Sequence, residues 1–314
     1  MTIALPEMEP MAYSLMIHGG AGAIDAPERY APSLRRIVET GAGLLEKGAS
    51  ALDAVTRCVA LLEDDPLFNA GRGAVLNAAG ESCCDASIMD GRNLAAGAVA
   101  GVKGVRNPVL LARLVMEKTP HVFLIGPGAE NFGRAHGIAF EEQDYFVTPE
   151  RRAQLARAKA RRQMSLDHAD PLSGKLGTVG AVARDSAGDL AAATSTGGLV
   201  NQMSGRVGDS PVIGAGVYAD NASCAISCTG AGEDFLRTSL ARTAALLVEK
   251  HGLSAPQAAQ EAISYLVRKV RGSGGLIIVD RDGRCGAARS TPGLLIAQAE
   301  NGIVRVGMEA QTSA

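Results

Sequence analysis

Apolar residues recur along this chain with two periods, and the switches between them mark out strands and helices. Residues 13–17 form a short apolar run ending at His18-Gly19-Gly20-Ala21-Gly22, which predicts a buried strand feeding a tight glycine turn. Leu34, Ile37, Val38 and Leu45 then follow helical spacing. A second helix is expected from Ser50, a residue able to cap it, with Asp53 three positions on. Leu52, Val55, Val59 and Leu62 are its apolar face. Pro66 interrupts that pattern, and Phe68-Asn69-Ala70-Gly71-Arg72-Gly73 follows as a loop. Residues 84–89, 94–102 and 121–125 read as strands. Between the last two, Asn107-Pro108 opens a helix that buries Leu111, Leu114 and Val115.

From 150 to 163 the character changes to a basic, Ala-rich stretch, which becomes loop-like through residues 170–175. Strand candidates resume at 178–184, 190–194, 212–219 and 222–228, separated by Gly-rich turns. A helix over 233–249 buries Leu236, Leu240 and Leu247. Another over 254–270 starts with Ser254 and Gln257 in a capping-box pattern and carries Ala259, Ile263, Leu266 and Val270 inward. Strands at 275–279, 285–288, 294–297 and 303–306 finish the chain. Strict strand–helix alternation is missing, which favours sheets covered by helices in an α+β layered architecture over a doubly wound parallel sheet.

Composition narrows the picture. Hydrophobic residues at 46% suffice for a substantial core, but Trp is absent and Gly reaches 38. Such a core is built from Ala, Val, Leu and Ile with many close backbone approaches. A formal charge of −2 predicts no attraction to nucleic acid or to anionic membrane. None of the six cysteines forms a CxxC pair or shows zinc-type spacing. With no secretory pattern at the start, a reduced, cytoplasmic protein is expected, the first residues being a frayed extension. No apolar run approaches the roughly 18 residues of a membrane span.

The informative stretch begins at Gly177-Thr178-Val179-Gly180, where a strand starts directly after a polar segment. A threonine in a strand is ordinary; the neighbouring segments change its meaning. Ala193-Thr194-Ser195-Thr196-Gly197-Gly198 ends the next strand in hydroxyls. Gly205-Arg206-Val207-Gly208-Asp209-Ser210 puts a cation and a carboxylate three apart in a glycine loop. Ser227-Cys228-Thr229-Gly230-Ala231-Gly232-Glu233 ends a strand in hydroxyl and glycine, then opens a helix. Three strand ends thus deliver small polar groups and N–H donors.

These segments, with His18-Gly19-Gly20-Ala21-Gly22 and Phe68-Asn69-Ala70-Gly71, resemble the plant-type L-asparaginases, also called isoaspartyl aminopeptidases, which are N-terminal-nucleophile hydrolases. The resemblance runs from about residue 15 to about residue 280. It implies a four-layer αββα sandwich and a precursor cut between Gly177 and Thr178. Residues 1–177 would be an α chain, ending in a flexible linker over 150–177, and residues 178–314 a β chain; together they make one domain, usually in an (αβ)₂ assembly.

The chemistry implied is economical. A threonine hydroxyl needs a base. A cut before Thr178 gives that residue a free α-amine, whose unperturbed pKa of about 7.7–8.0 lets it take the hydroxyl proton. By the same resemblance Thr196 orients the nucleophile. The Thr229 hydroxyl and the Gly230 N–H receive the developing oxyanion. Arg206 grips the substrate α-carboxylate, Asp209 pairs with its α-ammonium, and Gly232 offers a carbonyl. Without those neighbours, Arg206 and Asp209 would read as a structural pair in a turn. Asn69 is a candidate accessory residue, though Asn in a Gly-rich loop is commonly turn chemistry. The loop 62–72 resembles an alkali-metal loop that would hold structural sodium through the carbonyls of Leu62, Glu63, Asp65, Phe68, Ala70 and Arg72. No organic cofactor is implied. His18 reads as a cap of a strand or turn, and Cys224 and Cys228 as packing residues.

The expected substrates are small: L-asparagine and β-aspartyl dipeptides, releasing L-aspartate. A glycosylasparaginase-like enzyme or a broader β-aspartyl amidase is the first alternative. A non-catalytic binding protein with the same fold, which would stay uncut, is the second. A metal-dependent amidohydrolase lacks a ligand cluster in the sequence.

Overall fold

The computed structural model describes residues 12–161 and 177–308. Its strands are β1 (Ser14–Gly22), β2 (Cys84–Asp90), β3 (Ala95–Val102), β4 (Phe123–Ile125), β5 (Val179–Arg184), β6 (Leu190–Thr196), β7 (Val217–Ala219), β8 (Cys224–Gly230), β9 (Gly274–Asp280), β10 (Cys285–Arg289), β11 (Gly293–Glu300) and β12 (Ile303–Met308). The helices are α1 (Ala31–Glu46), α2 (Ala51–Asp64), α3 (Pro108–Lys118), α4 (Gly126–Ala135), α5 (Gln143–Phe146), α6 (Pro149–Ala160), α7 (Gly232–Thr238), α8 (Leu240–His251) and α9 (Ala255–Val270).

Eight strands form one sheet in the order β12-β11-β1-β5-β6-β2-β3-β4, and four form a second in the order β10-β9-β8-β7. All pairs are antiparallel except β3 with β4. Helices α1, α2 and α3 pack on one face of the larger sheet, and α8 and α9 on the smaller one. The two sheets meet through β1, β5 and β6 against β8 and β9. The result is the expected helix–sheet–sheet–helix layering.

Side-chain alternation explains why the central strands are apolar on both faces. On β5, Val179, Ala181 and Ala183 point into the core under α1–α3, whereas Val182 points between the sheets towards Ile226 and Ile278. Each fully buried Val or Leu of this kind contributes roughly 1.5–3 kcal/mol. Small residues on β5 and β6 let the layers approach. The two predicted N-caps hold: Ser50 Oγ accepts from the Asp53 N–H at 3.1 Å, and Gln257 Oε1 accepts from the Ser254 N–H at 3.0 Å.

Several expectations need correction. His18 to Gly22 is not a tight turn but the second half of β1, with a register irregularity between His18 and Gly20. Gly19 serves a close approach, since a Cβ there would lie 2.6 Å from the Phe68 ring. Residues 233–249 are not one helix. Ser239, at φ 45°, separates α7 from α8, and the first turn of α8 donates from Ala241 and Arg242 N–H to the carbonyls of Ala215 and Gly214. Within 212–219 only β7 is a strand; the rest folds into turns on the Asp209 and Val212 carbonyls. Helices α4 and α5 were missed behind Gly126-Pro127-Gly128 and Glu141-Glu142. Residues 150–160, expected as the start of a flexible linker, belong to α6 instead. Thr148 caps α6, and the fully buried Arg151 donates from Nε to the Gly73 carbonyl at 2.6 Å. The remainder of the linker, the N-terminal extension and the last residues lie outside the described residues. Among the described residues no helix is long and apolar enough to cross a membrane.

Candidate functional site

Gly177 and Thr178 stand at the head of β5, in the middle of the larger sheet, and both are buried. Thr178 Oγ1 donates to Thr196 Oγ1 at 3.0 Å. Thr196 ends β6, the neighbouring strand, because the β5–β6 register pairs Val179 with Ser195. Its Oγ1 also accepts the Gly198 N–H at 3.0 Å, which fixes the hydroxyl that receives Thr178. Ser210 Oγ lies 3.4 Å away on the other side. The expected pair of Thr178 and Thr196 is therefore assembled.

Thr229 and Gly230 end β8 in the second sheet. Thr229 is fully buried, and its Oγ1 has no hydrogen-bond partner among the described residues. A buried hydroxyl without a partner ordinarily costs about 1–3 kcal/mol and keeps its proton free to donate. Gly230 tolerates no side chain, since a Cβ would lie 2.4 Å from the Ser273 carbonyl oxygen.

The loop 205–210 joins these two strand ends. Ser210 touches Thr178, while Arg206 Nη2 and Asp209 Oδ1 would lie 2.8 and 3.0 Å from a Cβ at Gly232. A side chain at 232 would therefore occupy the space between the cation and the carboxylate. Arg206 and Asp209 do not pair with each other. Arg206 is forked onto Glu233, Nε to Oε1 at 2.9 Å and Nη2 to Oε2 at 3.0 Å, and Nη1 reaches Gln202 Oε1 at 3.3 Å. Asp209 is 2% exposed, and its Oδ2 has no partner among the described residues. Burial pushes its carboxyl up to about 7; its own backbone N–H and the charge of Arg206 oppose the rise, and Glu233 and Asp85 add to it. A solitary buried carboxyl beside a cation held elsewhere suits a small zwitterion, one end for each.

Asn69 is occupied by backbone. Its Nδ2 donates to the Gly198 carbonyl at 2.9 Å, its Oδ1 accepts from Val75 N–H at 2.9 Å, and its own carbonyl accepts from Gly197 N–H at 3.0 Å. It staples the loop 68–75 to the turn after Thr196. In that loop, a Cβ at Gly71 would sit 2.5 Å from the Glu63 carbonyl oxygen, and one at Gly73 would sit 2.0 Å from that of Phe68 and 2.8 Å from that of Pro66. The backbone of this loop is thus packed so closely that only glycine fits at 71 and 73, and the Leu62, Asp65 and Ala70 carbonyls accept the N–H groups of Asp65, Phe68 and Gly73. Arg72 places its guanidinium over the Tyr145 ring, 5.2 Å from the centroid.

His18 is not a cap. Its ring is fully buried between the sheets, and Nε2 lies 2.7 Å from Ser227 Oγ. Cys224 and Cys228 are buried packing residues on β8, as expected. Glu233, Gln202, Ser210 and Asp85 were missed in the sequence. Asp85 is buried on β2, accepts the Gly101 N–H at 2.8 Å and feels the charge of Arg206. The partnership of Arg206 with Glu233 spans 27 positions, and no local pattern announces it.

Comparison with known proteins finds relatives over most of the chain. A family profile described as "Asparaginase" matches residues 11–308. An isoaspartyl peptidase of Salmonella typhimurium is 52% identical over 290 residues, covering 89% of this chain and 93% of that protein. The isoaspartyl peptidase of Escherichia coli is 50% identical over 290 residues, 89% of this chain and 90% of its own. A human isoaspartyl peptidase/L-asparaginase is 45% identical over 298 residues, covering 94% and 96%.

Proposed function

Because the chain belongs to the asparaginase family, we propose that it is a precursor that cleaves itself between Gly177 and Thr178. Thr178 then hydrolyses β-aspartyl dipeptides and L-asparagine. The observation that carries this reading is the buried Thr178 hydroxyl, placed directly after Gly177 and oriented by Thr196 at 3.0 Å.

In maturation the hydroxyl attacks the Gly177 carbonyl carbon. The C–N bond breaks in an N-to-O shift, and water hydrolyses the ester. Gly177 leaves as a carboxylate, and Thr178 keeps a free amine beside its hydroxyl. In turnover the amine takes the hydroxyl proton, and the oxygen attacks the side-chain carbonyl of the substrate. The Thr229 hydroxyl and the Gly230 N–H stabilise the oxyanion. The departing nitrogen takes the proton and leaves as ammonia or an amine, and water releases L-aspartate from the β-aspartyl ester. No organic cofactor is needed for any of these steps.

Arg206 swings one edge of its guanidinium to the substrate α-carboxylate, Asp209 takes the α-ammonium, and the Gly232 carbonyl assists. The carbonyls of Leu62, Glu63, Asp65, Phe68, Ala70 and Arg72 would hold sodium, which would stiffen the loop carrying Asn69. An (αβ)₂ assembly in the cytoplasm completes the reading. The gripped half is common to asparagine and β-aspartyl peptides, so the leaving group is accommodated outside the clamp.

Arg206→Ala should still mature, but its KM for a β-aspartyl dipeptide should rise on the order of 100-fold, the value of two hydrogen bonds to a charged group. Steady-state kinetics on the cleaved variant checks this; a KM equal to the parent's would remove Arg206 from the clamp. The pH dependence follows from Asp209. Only the carboxylate can pair with an ammonium, and its pKa is about 7. KM should therefore climb about tenfold for each unit that pH falls below about 7, and Asp209→Asn should abolish that limb at the cost of weak binding throughout. The Thr178 amine also titrates in this region, but it acts on kcat, so the two are separable.

A further inference from the structure

Ser210 stands beside Thr178 and has no part in the mechanism above. Its Oγ lies 3.4 Å from Thr178 Oγ1 and makes no other hydrogen bond among the described residues. Both residues are buried. The main chain at Ser210 is anchored to both sheets. In the larger sheet, the fully buried Ser87 of β2 donates from Oγ to the Ser210 carbonyl at 2.5 Å. Towards the smaller sheet, the Val212 N–H donates to the Asp209 carbonyl at 2.8 Å, and the Gly216 carbonyl accepts the Cys228 N–H of β8 at 2.9 Å. Gly216 also packs directly on this unit, since a Cβ there would lie 2.5 Å from the Asp209 carbonyl oxygen and 2.8 Å from Ser210 Cα. β2 pairs with β6, which ends in Thr196, and Cys228 directly precedes Thr229. Asp209 and Ser210 are thus clamped between the strand beside Thr196 and the strand that carries Thr229.

Counting protons gives the direction of the contact. The Thr178 hydroxyl has a single proton, and it goes to Thr196 at 3.0 Å. Ser210 is therefore the donor to Thr178 Oγ1. A serine hydroxyl is no base at neutral pH. What it offers here is a proton that stays on its own oxygen and points at a lone pair of Thr178. At 3.4 Å the contact is long for two hydroxyls, so it is weak in the uncut chain. It gains strength when Oγ1 becomes charged.

We propose that Ser210 is a further catalytic residue: its hydroxyl donates to Thr178 Oγ1 and stabilises the negative charge that develops on that oxygen. This inference rests on Thr178 being the nucleophile. Such charge develops twice in each turnover. In acylation the Thr178 amine takes the hydroxyl proton while Oγ1 bonds to the substrate carbonyl carbon. In deacylation the amine takes a proton from water, the water oxygen bonds to the same carbon, and the C–Oγ1 bond breaks. Oγ1 leaves with the electron pair and receives the proton from the amine. Ser210 keeps its own proton throughout. A dipole already aimed at the developing charge needs no reorganisation at the moment of reaction, and the two anchors of the Ser210 main chain hold this one in place. The same oxygen attacks Gly177 in maturation, so the hydroxyl serves that step too.

Ser210→Ala removes the hydroxyl and leaves the Ser87 anchor on the main chain. The kcat per cleaved chain should fall roughly 3- to 15-fold, the worth of one hydrogen bond. Self-cleavage, followed by mass spectrometry, should slow by about the same factor. The loss in kcat should be equal for a β-aspartyl dipeptide and a β-aspartyl anilide, because Oγ1 is the attacking or the departing atom whichever step limits. Inhibition by L-aspartate should stay within about twofold of the parent, because the Asp209 carboxyl is undisturbed. A parental kcat overturns the proposal. A loss confined to one leaving group overturns it too, since the hydroxyl would then serve the departing nitrogen. So does a large loss of L-aspartate inhibition, which would make Ser210 a support for Asp209. If the variant does not fold, the crystal structure of the mature parent decides: Ser210 Oγ should stand within about 3.5 Å of Thr178 Oγ1, and a larger separation overturns the proposal. Failure of the underlying function would look different: the unsubstituted protein would neither cleave nor hydrolyse β-aspartyl peptides.

Discussion

Thr178→Ala should remain a single chain of 32.2 kDa and lose β-aspartyl hydrolysis by a factor on the order of 10⁴–10⁶, the scale on which removal of a covalent nucleophile is felt. Both losses have one cause. On the proposed reading, the hydroxyl that donates to Thr196 at 3.0 Å attacks the Gly177 carbonyl once and substrate carbonyls thereafter. The fold should persist, since Val179, Ala181 and Ala183 keep β5 in its core. N-terminal sequencing and mass spectrometry of parent and variant make the comparison. The parent should yield a fragment beginning at Thr178, and a cut variant, or an active uncut parent, would refute the assignment. Thr178→Ser keeps hydroxyl and amine, so partial activity is expected there; the lost methyl frees the rotamer.

Thr229→Val should lower kcat by roughly 10²–10³ while leaving KM and maturation near parental values. It should also leave stability unchanged or raise it by about 1 kcal/mol. The two halves of this expectation come from one fact: Thr229 Oγ1 is fully buried with no partner among the described residues. The resting protein bears the cost of burying that hydroxyl, which on the proposed reading only the oxyanion of the reaction uses. Valine matches the shape and removes the donor. Kinetics beside a denaturant titration reads both quantities. A stable, fully active Thr229→Val would take Thr229 out of the oxyanion site, and a strongly destabilised one would mean that the hydroxyl has a structural partner.

The strands and helices that could be read from the chain were those whose cause is local. Ser50 with Asp53 and Ser254 with Gln257 cap helices that form where expected, because each cap is made within three residues. The central strands were legible because their apolar runs are short and bounded by glycine. The errors cluster where a distant contact overrides local preference. A glycine-rich segment becomes strand because Phe68 needs the space over Gly19. A continuous helical pattern breaks at Ser239 because Gly214 and Ala215 draw in the start of α8. Basic residues near 151 become a packed helix because Gly73 offers Arg151 a buried acceptor.

Which residues meet at the site divides in the same way. Sequence alone determined that hydroxyls and glycines fall at strand ends, and the motifs that carry Thr178, Thr196, Arg206, Asp209 and Thr229 needed no coordinates. Charge partnership was decided by the tertiary structure. Arg206 and Asp209, three apart, look like a pair on paper, yet Arg206 takes Glu233 and leaves Asp209 solitary and raised to about 7. The buried His18–Ser227–Thr194 chain likewise joins residues as many as 209 positions apart. Periodicity and caps are written in neighbouring residues. Desolvation and the choice of a partner arise only when separate strands and loops are brought to one place.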